Sequence, residues 1–207
     1  MEIELENISK SFLHHIIFRG VTLSIPQGSK WALLGGNGSG KSTLLKILAS
    51  SLAPSSGTIK HLINRQELPL EDIISQVSFS GPYLDLVEEF TFPELISFHK
   101  KFKPFATGLS ESDVLEISQL GPVKKKRIGN FSSGMKQRAK LSLAILSQTP
   151  LLLLDEPHTN LDGAAVEWYK NTLETYSANR TVIVASNRIE EEYFLAERTI
   201  EMNHFKK

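Results

Sequence analysis

The chain has 207 residues, enough for one domain or for one domain carrying a sizeable inserted lobe. Its 41% hydrophobic and 22% charged residues are an ordinary globular composition, and 23 basic residues balance 23 acidic ones, so no overall field points to nucleic acid or an anionic membrane. The absence of cysteine excludes disulfides and cysteine-ligated zinc or iron–sulfur sites, and fits a reducing cytosol.

The N-terminal Met1-Glu2-Ile3-Glu4 is acidic and alternating, with no signal-peptide character. Ile3, Leu5 and Ile8 alternate with glutamates, which predicts a half-buried strand. Residues 16–18 and 21–25 predict two further short strands, ended by the turn Pro26-Gln27-Gly28. Residues 30–34 are nearly all apolar, as in a strand of a covered parallel sheet.

That strand leads into Gly35-Gly36-Asn37-Gly38-Ser39-Gly40-Lys41-Ser42-Thr43, followed by the amphipathic run Leu44-Leu45-Lys46-Ile47-Leu48. Glycine, four residues, glycine, lysine, serine between strand and helix is a phosphate-cradling pattern. The glycines let successive N–H groups turn inward onto an anion, and the helix adds its free N–H groups and the positive end of its dipole. Lys41 can reach the outer phosphates, and the Ser42 hydroxyl can take a place on magnesium. The helix is expected to end at residues 49–52, before Pro54, with a turn at 54–57 and strands at 58–63 and 76–80.

From residue 82 to about 120 the texture changes. Phe90, Phe92, Leu95, Ile96, Phe98 and Phe102 recur at roughly helical spacing, and these aromatics are expected in a core. Ser110-Glu111-Ser112-Asp113 predicts a helix N-terminus before residues 114–120. The stretch reads as a helical lobe inserted into an α/β domain. Lys124-Lys125-Lys126-Arg127, the one charge run, reads as a solvated surface. Phe131-Ser132-Ser133-Gly134-Met135-Lys136-Gln137-Arg138 then precedes an amphipathic helix; its Ser-Ser-Gly start can be a cap or an anion site. The longest apolar stretch, around residues 141–154, is broken by polar residues and Pro150 and is too short to cross a bilayer.

Leu151-Leu152-Leu153-Leu154-Asp155-Glu156 is an apolar strand delivering two adjacent acids at its C-terminal end, where α/β sheets place ligands. Beside a phosphate loop, Asp155 would hold magnesium, and Glu156 would orient or deprotonate a water.

Taken in order, the phosphate loop, helical lobe, Ser-Ser-Gly-Met-Lys-Gln-Arg, Leu-Leu-Leu-Leu-Asp-Glu-Pro and Thr159-Asn160-Leu161-Asp162 resemble an ABC transporter ATP-binding subunit over essentially the whole chain. The resemblance implies an α/β fold: a P-loop NTPase core with a mostly parallel sheet, an N-terminal antiparallel β subdomain and an inserted helical lobe at about 82–145, all within one domain spanning 1–207. It implies that Phe12 stacks on adenine and that residues 35–43 are Walker A. Ser132, Ser133, Gly134 and Met135, following Phe131, would be the signature that caps the nucleotide of the opposite subunit. Asp155 would end Walker B, Glu156 would be the catalytic carboxylate, and Asn160-Leu161-Asp162 would be the D-loop. A further core strand at 181–185 leads to the switch position.

The chain departs from that family in three places. Its signature reads Phe-Ser-Ser-Gly-Met in place of Leu-Ser-Gly-Gly-Gln. Ser80 stands where a glutamine would reach magnesium, and Asn187 stands where a histidine would sense the γ-phosphate. An asparagine can donate a hydrogen bond there but cannot titrate near neutral pH. The implied activity is slow but real ATP hydrolysis with Mg2+, by Lys41, Glu156 and Asn187. It would power a separate membrane permease through head-to-tail dimerisation with a second nucleotide-binding domain. The implied location is cytoplasmic, at the inner face of the cell membrane, with no nucleic-acid partner. The competing readings are a soluble ABC-type ATPase outside transport and a regulatory module that binds ATP but scarcely hydrolyses it.

Overall fold

In the computed structural model, which describes residues 1–13, 15–82 and 84–206, two sheets share one core. The first is antiparallel: β1 (Glu2–Phe12), β2 (His15–Ile25), β4 (Ser56–Ile63) and β5 (Gln66–Glu67) lie in the order β2-β1-β4-β5. The two strands expected at 16–18 and 21–25 are one. Register slips between Ile8 and Lys10 absorb the Arg19-Gly20 interruption as a bulge, so pairing continues from Ile3–Ile25 to Phe12–His15.

The second sheet is wholly parallel, with β3 (Lys30–Leu34), β6 (Val77–Ser80), β7 (Leu151–Asp155), β8 (Thr181–Ser186) and β9 (Arg198–Glu201) in the order β6-β7-β8-β3-β9. Its central strands are apolar on both faces for a visible reason. Leu151, Leu153, Ile183 and Ala185 face the core shared with the antiparallel sheet, while Leu152, Leu154, Val182 and Val184 face a second core.

Helix α1 (Lys41–Leu48) packs Leu44, Leu45, Ile47 and Leu48 into the first core. It ends sooner than expected because Ser50 turns to a positive φ of 55°. The short α2 (Leu70–Ile73) precedes β6. Helices α3 (Phe92–Lys100) and α4 (Glu111–Ile117) both open on capping boxes, Thr91 with Glu94 and Ser110 with Asp113. With α5 (Ser133–Leu146) they enclose a third core built on Phe92, Leu95, Ile96, Phe105, Val114, Ile128 and Phe131. Two of the aromatics expected in that core are outside it. Phe98 is 42% and Phe102 66% exposed. Phe98 lies on the outer face of α3 and Phe102 lies past its end, and their rings meet edge to face at 5.1 Å.

Helix α6 (Gly163–Tyr176) has Asp162 as its N-cap and buries Ala165, Trp168, Tyr169, Thr172 and Leu173 against α5 and the second core. Two buried cations serve helix ends without a carboxylate bonded to them among the described residues. Arg180 donates to the carbonyls of Ile145 (2.5 Å) and Ala144 (3.2 Å) at the end of α5, and Lys30 donates to Ser177 O (2.7 Å) after α6. β3, β6, β7 and β8 all end on the same edge, and there the functional stretches meet.

Candidate functional site

At the end of β3 the chain turns through residues 35–40 into α1. Gly40 sits at φ 98°, and a Cβ there would lie 2.9 Å from both Ile17 and Phe18 of β2. Only glycine fits this corner, and the fit presses the β1–β2 hairpin onto the loop. Lys41 is buried, and its ammonium is held by the carbonyls of Gly35 (2.7 Å) and Gly36 (3.2 Å) and by Asn187 Oδ1 (2.7 Å), with Glu156 Oε1 at 3.9 Å. Burial lowers its pKa, and Glu156, Asp155 and Glu192 oppose that shift.

Asn187, one residue past β8, closes the network. Its Nδ2 donates to Glu156 Oε1 (2.9 Å) and to Asn37 Oδ1 (2.9 Å) while its Oδ1 accepts from Lys41. Every polar atom of the amide is therefore engaged, and one side chain links phosphate loop, lysine and acid. Glu156 stands at a positive φ of 47°, with its N–H donating to Ala185 O (2.9 Å), and this turn aims its carboxylate toward Lys41.

Asp155, the last residue of β7, is 2% exposed. Burial raises its pKa, against the pull of the neighbouring Ser42 hydroxyl. Its Oδ1 has no hydrogen-bond partner among the described residues. A buried carboxyl with an open oxygen beside a hydroxyl fits a hard cation such as magnesium. Ser80, at the end of β6, pairs with Leu154, and its buried hydroxyl likewise has no partner among the described residues, as does Ser39. A cavity of about 360 Å³ lies over this floor, lined by residues 37–43 with Pro82, Glu156 and Thr159. Phe12 is 47% exposed at the end of β1, with the Lys10 ammonium 4.9 Å from its ring centroid and itself bonded to Ala53 O (2.8 Å).

The remaining stretches lie elsewhere. Ser132 caps α5 by accepting from Met135 N (3.2 Å), and Ser132 and Ser133 are exposed. A second cavity of about 220 Å³ collects Ser132, Gly134, Met135, Asn160 and Asp162, and it shares no lining residue with the first. Gly134 rests on the backbone of Asn160, and a Cβ there would be 2.8 Å from that carbonyl oxygen. The Asp162 carboxylate is engaged as a helix cap, with Oδ1 accepting from Ala165 N (2.8 Å). The structure thus gathers residues 35–43, Asp155, Glu156 and Asn187 at one site, and sets Ser132, Gly134, Met135 and Asp162 at another, with Ser133 exposed and outside the lining of either cavity.

Two contributors escaped the sequence. Gln137 is buried and ties α5 to the turn after Glu156 through Pro157 O (2.9 Å). Glu192 ends the run Glu190-Glu191-Glu192, which has the pattern of a solvated acidic surface, yet it is 1% exposed. Nothing in the local sequence signals that burial.

The family model described as ABC transporter matches residues 18–159. The chain is 30% identical over 201 residues to "Lantibiotic transport ATP-binding protein SrtF" of Streptococcus pyogenes, covering 94% of this chain and 84% of that one. It is 30% identical over 209 residues to "Nod factor export ATP-binding protein I" of Rhizobium sp. (strain N33), covering 99% and 69%. It shares the fold of an ATP-binding cassette solved as a dimer in a post-hydrolysis state with ADP and Pi, at TM-score 0.82 and 22% identity over 97% of this chain and 94% of that one.

Proposed function

From the premise that the chain belongs to the ABC transporter family, as an ATP-binding and ATP-hydrolysing subunit that powers a membrane permease, we propose how its residues divide the work. ATP lies in the cavity over residues 37–43, its phosphates against the backbone N–H groups of the loop and the start of α1. Phe12 takes the adenine. Lys41 neutralises the outer phosphates as a point charge. Ser42 and Asp155, with Ser80 close to the same strand end, would hold magnesium, which would supply positive charge beside the phosphates. Glu156 holds the attacking water, and Asn187 gives the γ-phosphate the amide hydrogen it otherwise donates to Asn37, while its other hydrogen and its Oδ1 keep Glu156 and Lys41 in register. The observation that carries this reading is the closed network of Lys41, Asn187, Glu156 and Asn37 beside the phosphate loop.

The second cavity supports the other half of the cycle. Ser132, Ser133, Gly134 and Met135 share no wall with the chain's own phosphate loop, so their nucleotide is the one bound to a second subunit. Head-to-tail pairing then buries two ATP molecules, contacts to the γ-phosphate favour the closed dimer, and hydrolysis releases it. Residues 1–207 act as one ATPase domain in which the helical lobe at about 82–145 passes closure on to the permease through the groove near Leu84 and Phe98. No helix among the described residues is long and apolar enough to cross a membrane. The permease would therefore hold this subunit at the inner face of the cell membrane.

Light scattering on Glu156→Gln protein tests the pairing. The expected result is a monomer alone and a dimer with Mg-ATP, the dimer being lost when Ser132→Arg is added. A Glu156→Gln, Ser132→Arg protein that pairs as well as Glu156→Gln would overturn the assignment of the second cavity.

A further inference from the structure

Outside the lining of the cavity, a buried carboxyl joins two turns that the mechanism requires to stay together. Glu192 Oε1 accepts from His158 N at 3.2 Å, on the turn two residues past Glu156. Its other oxygen, Oε2, is buried with no hydrogen-bond partner among the described residues, while Ser186 Oγ, at the end of β8 and next to Asn187, accepts from Ile189 N at 3.0 Å. The backbone of Glu192 is fixed separately: its carbonyl accepts from Tyr169 Oη of α6 at 2.7 Å, and its N–H donates to Ile189 O at 3.0 Å. Tyr169 is fully buried, and its ring meets that of His158 edge to face at 5.0 Å. The turn bearing Asn187 is therefore closed on itself at Ser186 and anchored to α6 at Glu192. One side chain then ties that turn to the turn bearing Glu156.

We propose that Glu192 is a positioning residue that holds Asn187 and Glu156 in register, so that the phosphate-sensing amide and the water-orienting carboxylate move as one unit. The proposal rests on the roles assigned above to Asn187 and Glu156. Without the tie, the two turns are joined at their bases by the bond from Glu156 N to Ala185 O and further out by the Asn187–Glu156 hydrogen bond, whose partners reach solvent and can exchange it for water. Breaking the bond from His158 N would leave both oxygens of a buried carboxyl unbonded away from water, which makes the connection stiff. Burial, the largest influence, pushes the Glu192 carboxyl above its ordinary range, opposed by the nearby Ser186 hydroxyl and the His158 N–H; nearby Glu156 pushes it the same way as burial.

The test is a double-mutant cycle read by steady-state ATPase, with a side-chain spectrum beside it. Glu192→Ala is expected to lower kcat about tenfold or more while KM for ATP stays within about twofold. Glu192→Gln, which keeps an acceptor for the His158 N–H, should recover kcat to within about threefold of wild type. In an Asn187→Ala background, Glu192→Ala should change kcat by less than about twofold, because the pairing it maintains is already gone. In parallel, the NMR signals of the Asn187 side-chain amide should move toward a free amide in Glu192→Ala and stay in Glu192→Gln. This readout needs no turnover, so an unmoved Asn187 amide refutes the tie whatever the ATPase does. An inactive wild type with a moved amide refutes only the catalytic roles assigned to Asn187 and Glu156. Unchanged kcat in a folded Glu192→Ala protein, or losses that multiply in the double mutant, overturn the proposal.

Discussion

Consider Gly134→Ala. Gly134 is the second residue of α5, and an added Cβ would stand 2.8 Å from Asn160 O, against the 3.4 Å at which ordinary contact begins. The neighbour is backbone in a turn whose end, Asp162, caps α6, so it cannot swing aside as a side chain would. The start of α5 and the turn must therefore separate by about 0.6 Å. Alanine is favoured over glycine in a helix by up to about 1 kcal/mol. Forced overpacking typically costs about 1–3 kcal/mol, so the net change should be a loss of about 1 kcal/mol in urea unfolding. In the proposed pairing the displaced atoms face the partner's nucleotide, so activity should suffer more, since misplacements of about 1 Å can cost roughly a hundredfold. A fall in kcat of about tenfold or more is expected, with ATP affinity of the isolated chain within about twofold. Gly163→Ala is the internal control: nothing lies within 4 Å of its Cβ, so stability should hold or rise slightly and kcat should not change. A Gly134→Ala protein with wild-type kcat would refute the reasoning that this contact sets the signature's position.

Two further outcomes follow from the same geometry. Asn187→His should leave ATP affinity within about threefold and give kcat a pH dependence between roughly pH 6 and 8 that the wild type lacks, since only the imidazole titrates there; a large loss of ATP binding would make the position structural. His99 provides the pH dependence of stability. Its Nε2 lies 2.7 Å from Ser147 Oγ, whose own hydrogen is given to Leu143 O, so the ring donates. Burial, with Lys103 nearby, lowers its pKa from 6.5 to about 4. A depressed histidine binds fewer protons folded than unfolded, so its contribution is complete above pH 6.5 and is lost as pH falls toward 4. By linkage the loss amounts to about 2 kcal/mol between about pH 8 and pH 5. His99→Gln, which keeps the donor, should unfold with a pH slope flatter by that amount, and an unchanged slope contradicts the argument.

What the sequence made legible was local. The phosphate loop is written in nine consecutive residues between an apolar strand and an amphipathic helix, and β7 with its two acids is a single run. The capping boxes at Thr91 and Ser110 are likewise short-range, and the second could be read from Ser110-Glu111-Ser112-Asp113 alone. Contacts across the chain were not legible. The burial of Glu192 depends on Tyr169, 23 residues away, and on a turn 34 residues away. Helix α6 lacked a strong local signal, because its core face is carried by alanine, threonine and aromatics in place of a leucine stripe. Phe98 and Phe102 had helical spacing, but spacing does not say which face a lobe leaves outside. Asp162 was read through the family resemblance as part of the D-loop, and its carboxylate caps α6, a use that needs only the three residues after it.

The central claim is that this chain hydrolyses ATP with Glu156 as the residue that handles water. Steady-state ATPase of purified wild-type and Glu156→Gln proteins, with ATP binding measured on both, tests it most directly. The account predicts measurable turnover in the wild type, a loss of about a hundredfold or more in Glu156→Gln, and ATP affinity retained in both. A Glu156→Gln protein that turns over ATP at the wild-type rate would contradict it.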